Sequence, residues 1–137
     1  MKREYAITSK EQSRRARTAY LLLYGIFILI PIVAGLDTFF DFITDWTKYI
    51  SPAIPGVLQL GAGVFIRIAG IIEIITGIVV ALRPHIGGWI FAAWLWAIII
   101  NLLILGTYYE ISLIDFGLSI AALALAQIDS AFRKKIS

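Results

Sequence analysis

Four long apolar segments follow one another along the chain, and short polar connections separate them. The first holds no charged residue from Thr18 to Leu36 and the third holds none at all, whereas Arg67 and Glu73 interrupt the second. An α-helix needs about 20 apolar residues to cross the hydrocarbon core of a bilayer, and each segment supplies close to that number or more. The pattern predicts an all-α fold, a four-helix transmembrane bundle, with helices at about residues 18–42, 57–82, 86–109 and 111–132.

The composition agrees with this class of protein. Hydrophobic residues make up 60% of the 137 residues and charged residues 15%, against roughly 45–50% and ~25% in a soluble domain. The length predicts a single membrane domain over residues 1–137. The first apolar segment is longer than the apolar region of a signal peptide, so we expect a retained helix. The chain has no cysteine, which excludes disulfides and cysteine-ligated clusters.

Positively charged residues lie on one side of the predicted bundle. Connections rich in lysine and arginine stay in the cytoplasm when a membrane protein inserts. Every lysine and arginine except Lys48 and Arg67 belongs to residues 1–17, to the turn at Arg83 or to the C-terminus. An even number of spans therefore places both termini in the cytoplasm, and residues 1–17 form a basic cytoplasmic tail.

The basic tail raises the alternative of a nucleic-acid partner, since the formal net charge is +3. Only Tyr5 interleaves with the charges of the tail, whereas segments that bind single strands combine basic and aromatic side chains. Orientation by positive charge and contact with anionic head groups account for the tail, so we predict membrane lipid as a partner and no nucleic acid. His85 is the single histidine, and we predict no metal site in this chain alone.

Small residues form a stripe along the second predicted helix, where Gly63, Gly70 and Gly77 recur every seven residues. A neighbouring backbone can approach such a stripe closely, so we predict that these glycines pack helices together. Arg67 and Glu73 fall on opposite edges of the stripe, ~120° apart around the helix axis. A charge exposed to lipid costs about 2.5–3.5 kcal/mol on insertion scales, so we expect both side chains to be buried against polar partners.

Every predicted helix contributes a polar side chain to the half of the bundle away from the termini. The set that we expect to converge comprises Asp37, Arg67, Glu73, Asn101 and Asp115. Such a cluster predicts a polar intramembrane pocket that opens to the non-cytoplasmic side. Two interpretations remain open. The pocket binds a ligand, a quinone head group or a proton, or the charges form a salt-bridge network that fixes the register of the helices.

Aromatic residues mark the first connection and the third helix. Trp46 and Tyr49 lie in the connection between the first two predicted helices, where we expect interfacial anchors rather than a lid over the pocket. Trp94 and Trp96 lie in the body of the third helix, where we expect packing or contact with lipid.

Two sequence features resemble the DoxX-like family of small four-helix membrane proteins. One is the segment GLDTFF at residues 35–40, and the other is the pattern R-x-x-G-x-x-E-x-x-x-G that begins at Arg67. The resemblance extends over roughly residues 20–128. Relatives often carry a lysine after the acidic residue of the first helix, where this chain has Thr38.

Members of this family are similar to the small membrane subunit of thiosulfate:quinone oxidoreductase. The resemblance therefore implies a subunit or accessory of a quinone-linked redox complex in a prokaryotic plasma membrane, in which Arg67 and Glu73 shape a quinone-facing or proton-handling pocket. It implies other membrane subunits or a second copy of the chain as partners, and no cofactor bound by this chain alone except a candidate quinone. The alternative is a non-catalytic structural or assembly subunit whose buried charges only dock helices.

Overall fold

The computed structural model of the protein describes the backbone of residues 9–136 and the side chains of residues 9–132. Much of the predicted basic tail, with Lys2 and Arg3, lies outside the described residues, and so do the side chains of Arg133, Lys134 and Lys135. The described part of the chain is helical and contains no strand.

Six helical elements follow in order. They are α1 (Ser9–Phe40), a 3₁₀ helix (Trp46–Tyr49), α2 (Ala53–Val57), α3 (Ala62–Leu82), α4 (Pro84–Leu105) and α5 (Tyr109–Ile136). Within the described chain, four of these helices, α1, α3, α4 and α5, are long and apolar enough to cross a membrane. The predicted all-α bundle of four transmembrane helices is therefore confirmed.

The ends of the helices differ from the predicted ends for local reasons. Residues 9–17 continue α1 into the basic segment, where no proline or glycine interrupts the helix and Glu11 pairs with Arg15 one turn later. Pro84 occupies the first turn of α4, where its missing N–H has no partner to lose. Gly106 ends α4 in a left-handed conformation (φ 82°), earlier than the sequence predicts.

The four long helices form two close pairs, α1 with α3 and α4 with α5. Glycines permit the close approach within each pair. A Cβ atom on Gly35 would lie 2.5 Å from the carbonyl oxygen of Gly70, and one on Gly88 would lie 2.7 Å from the carbonyl oxygen of Ala122. Gly77 also packs on α1, because a Cβ atom there would lie 2.7 Å from Ile32. Backbone contact of this kind needs residues without side chains on the facing helix.

Gly63 does not take part in this packing, and the prediction for this residue is wrong. It is exposed, and a Cβ atom built on it meets nothing within 4 Å. The reason is the length of the partner helix. Gly70 already faces Thr38 near the end of α1, and Gly63 lies about 10 Å further along α3, where α1 has ended.

The apolar core occupies the half of the bundle that contains the two described ends of the chain. Phe27, Val80, Phe91 and Leu125 meet there, and all four are at most 2% exposed. At the same end the Tyr20 hydroxyl of α1 donates to Asp129 of α5 over 2.8 Å. The opposite half, where α1 ends and the 3₁₀ helix contacts α3, contains a cavity.

Candidate functional site

The cavity lies between the two helix pairs and has a volume of about 720 Å³. All four long helices and the segment 43–54 contribute to its wall. Most of the wall is apolar, with the polar side chains confined to a few positions. Among the residues predicted from the sequence, the cavity is lined by Glu73, Asn101 and Asp115.

Glu73 enters the cavity from α3. Its position follows from the glycine stripe, because Gly70 and Gly77 face α1 and Glu73 lies on the edge of that stripe that turns toward α4. The indole N–H of Trp94, on α4, donates to one carboxylate oxygen of Glu73 over 3.1 Å. Glu73 is half-buried. Among the described residues its other oxygen has no hydrogen-bond partner and is available to a ligand.

Asp115 enters the same cavity from α5, and it is also half-buried. It makes no hydrogen bond with the part of the chain that the structure describes, and it is close enough to Glu73 to interact with it electrostatically. Neither carboxyl group forms an ion pair with a described side chain, since the single ion pair among these residues joins Arg15 to Glu11. The cavity thus holds two acidic groups without a basic counterpart.

Arg67 does not join this cluster, which corrects the prediction that it is buried in the pocket. Its side chain is exposed and does not line the cavity. Arg67 and Glu73 lie ~120° apart around the axis of α3, on either side of the stripe that packs on α1. Because the cavity adjoins only the Glu73 edge, the Arg67 edge faces outward. The described residues therefore contain no Arg67–Glu73 ion pair.

Asp37 is buried, but it caps the end of α1 and does not line the cavity. The chain turns back after Phe40, and the carboxylate of Asp37 accepts hydrogen bonds from the backbone N–H groups of residues 42–44 and from the indole N–H of Trp46 over 2.7 Å. Its oxygens are used by the protein itself. The prediction that Asp37 belongs to the pocket is wrong in this respect.

Asn101 fixes residues 49–51 to α4. Its amide nitrogen donates to the carbonyl oxygen of Tyr49 over 2.6 Å, and its amide oxygen accepts from the backbone N–H of Ser51 over 2.9 Å. The ring of Tyr49 packs edge-on against Tyr108, with 4.8 Å between the ring centres. Trp46 and Tyr49 line the cavity. Residues 43–54 therefore form a lid, which is the alternative that the sequence favoured less.

The lid has its own capping interaction at Asp45. This carboxylate accepts hydrogen bonds from the hydroxyl and the backbone N–H of Thr47, at the start of the 3₁₀ helix. The hydroxyl of Thr47 is the main cause that holds the pKa of Asp45 below its ordinary value. Because Asp45 is exposed, its hydrogen bonds with Thr47 order the turn and add little to global stability.

Trp94 and Thr38 are among the contributors to the site that were not predicted from the sequence. Trp94 was expected to pack or to contact lipid, yet it binds Glu73. Thr38 lines the cavity and donates its hydroxyl hydrogen to the carbonyl oxygen of Gly35 over 2.6 Å. A signal for Trp94 exists, because a tryptophan in the middle of a membrane helix needs an acceptor for its N–H. The sequence does not say which acceptor lies opposite.

Within the described residues, no three histidine, cysteine, aspartate or glutamate side chains converge as they do around a metal ion. Comparisons with protein-family models, with curated proteins and with solved structures found no match to this chain. The resemblance to the DoxX-like family therefore stays a prediction that rests on the residues quoted for it.

Proposed function

We propose that this protein binds a lipophilic small molecule with a polar head, a membrane quinone, inside the bundle, as a subunit or accessory of a quinone-linked membrane redox complex. The observation that carries the proposal is the cavity of about 720 Å³ in which Glu73 and Asp115 face an otherwise apolar wall. Pockets for small ligands occupy about 300–1,000 Å³ and place a few polar groups on apolar walls.

The shape of the wall suits a ring with an apolar tail. Phe65, Phe91 and Trp94 supply flat apolar surface around the cavity, and Glu73 and Asp115 supply hydrogen-bonding groups for the head. The two carboxyl groups also hold or release protons beside the bound ring. An isoprenoid tail reaches the surrounding lipid between the helix pairs, which are less closely packed with each other than internally.

The resemblance to the DoxX-like family supports this function on Gly70, Glu73 and Gly77, three residues of the quoted pattern. By the same resemblance, the electron-carrying cofactor belongs to a partner subunit and the complex resides in a prokaryotic plasma membrane. We expect the cavity to lie on the non-cytoplasmic side of that membrane, because lysine and arginine concentrate around the ends of α1 and α5. In this arrangement the chain binds and orients the quinone, and its partner supplies or removes the electrons.

The proposal can be tested with a substitution that fills the cavity with a larger side chain. Ala69 lines it, whereas Ala93 is an exposed residue of α4 outside the cavity, so Ala69→Phe and Ala93→Phe add the same side chain in two settings. We expect a decyl-substituted benzoquinone to bind the purified wild type saturably and to raise its Tm, because a ligand of the folded state stabilises it. Ala69→Phe should abolish both effects, and Ala93→Phe should retain them.

A structural or assembly subunit is the second candidate, and Arg67 favours it. This side chain is exposed on a membrane-spanning helix and forms no ion pair with a described residue. Such a charge needs either a head group or an acidic group of another subunit. The same experiment separates the two functions. An assembly subunit shows no saturable quinone binding in the wild type and no difference between the two phenylalanine variants.

A further inference from the structure

The hydrogen-bonding groups of the cavity are unequally used. The indole N–H of Trp94 is already bonded to Glu73, that of Trp46 to Asp37, and the hydroxyl of Thr38 to a backbone carbonyl. The amide of Asn101 holds the lid through both its nitrogen and its oxygen. The N–H donors that the wall offers are therefore committed to the protein, except for the second amide N–H of Asn101.

The hydrogen-bond acceptors of the wall, by contrast, are largely unused by the protein. Asp115 has no hydrogen bond with the described residues, and Glu73 has only the one from Trp94. An ionised carboxylate only accepts, and a protonated carboxyl group adds one donor while it keeps acceptor capacity. The hydroxyl groups of Thr44 and Tyr49, which also line the cavity, both donate and accept and so favour neither kind of ligand. The surplus around Glu73 and Asp115 is a surplus of acceptors.

We infer that the cavity selects a ligand that brings its own hydrogen-bond donors, and that it binds the reduced quinol in preference to the oxidised quinone. The inference rests on the proposed function and specifies which form the site prefers. A quinol carries two hydroxyl groups that donate to the carboxyl oxygens. A quinone presents two carbonyl oxygens, which only accept hydrogen bonds, so ionised carboxylates offer it no donor, whereas they accept from both hydroxyl groups of a quinol. A site built to bond a hydroxyl rejects an analogue without one.

Three ligands with one skeleton test the inference on the wild-type protein, so that no variant needs to fold. They are a decyl-substituted benzoquinone, its hydroquinone and the dimethyl ether of that hydroquinone, each titrated calorimetrically into the protein in detergent without oxygen. We expect the hydroquinone to bind about tenfold more tightly than the other two, or better. The ether is decisive, because it keeps the ring and tail, loses both donors and cannot be oxidised to the quinone.

Two variants then assign the preference to the carboxyl pair. Glu73→Gln and Asp115→Asn each replace an acceptor oxygen with an amide donor, so each should reduce the ratio of quinone Kd to hydroquinone Kd. Glu110→Gln is the matched control, because Glu110 is an exposed residue of the first turn of α5 and does not line the cavity. The Tm of each variant without ligand shows whether it is folded.

The outcomes separate the two claims. Equal or tighter binding of the quinone or the ether by the wild type overturns the preference for the quinol and leaves the proposed function standing. Binding of none of the three overturns both. A quinol preference that survives unchanged in both folded carboxyl variants overturns the assignment to Glu73 and Asp115.

Discussion

Three acidic side chains at the same end of the bundle have different roles. The number of hydrogen bonds that each carboxyl group accepts from the protein indicates its role. The carboxylate of Asp37 accepts hydrogen bonds from three backbone N–H groups and one indole, so it is saturated by the protein. Glu73 has one donor, and Asp115 has none among the described residues. A saturated carboxylate holds the chain in place, whereas an unsaturated one in a cavity is available to a ligand.

The role of Asp37 as a cap predicts the effect of Asp37→Asn. The amide keeps one acceptor oxygen, but its NH2 group replaces the other oxygen and faces the backbone N–H groups that donated to it. Donor then faces donor, so the first turn of the lid loses its anchor. We expect a Tm several degrees lower in detergent and faster amide hydrogen exchange at residues 42–44. Asp41→Asn is the control, because Asp41 is exposed, lies at φ 55° and asparagine adopts that conformation readily. A variant as stable as this control would contradict the cap.

The glycine spacing on α3 predicts part of the packing between α1 and α3, but not all of it. The sevenfold glycine spacing identifies a face of α3, because a helix repeats nearly every seven residues whatever surrounds it. It does not reveal where the partner helix ends, and so it includes Gly63, which faces no neighbour. It also leaves open which edge of the stripe meets a cavity, and for that reason Arg67 and Glu73 were expected together although only Glu73 is enclosed.

Alanine at two of these glycines should therefore have opposite effects. In Gly70→Ala the new Cβ atom lies 2.7 Å from the carbonyl oxygen of Gly35, so α1 and α3 must move apart, at a cost of about 1–3 kcal/mol. In Gly63→Ala the Cβ atom enters open space, and alanine stabilises a helix by about 0.5–1 kcal/mol relative to glycine. Unfolding in detergent measures both. Equal stability of the two variants would show that α1 and α3 are not in backbone contact at Gly70.

At the scale of the molecule, hydropathy predicts four spans because each helix must be long and apolar enough to cross the same bilayer, whatever its neighbours are. The cavity could not be predicted in this way. The core around Phe27 and Val80 fills one half of the bundle, whereas the cavity begins at Phe91 and is covered in the other half by residues 43–54. Asn101 illustrates the difference, since the sequence places it in the polar half and only the fold shows that it holds the lid.

The orientation of the bundle is a further property of the whole chain, and two single cysteines test it. The chain has no cysteine of its own, so Ser13→Cys in the basic part of α1 and Ala53→Cys at the start of α2 each create one thiol, both at exposed positions. Because lysine and arginine concentrate at the end of the bundle that holds Ser13, we expect a membrane-impermeant maleimide to label Ala53→Cys on intact cells and Ser13→Cys only after lysis. The reverse result would show that the lid and the cavity face the cytoplasm. Labelling of both thiols on intact cells would contradict the placement of these two sites on opposite faces of the membrane.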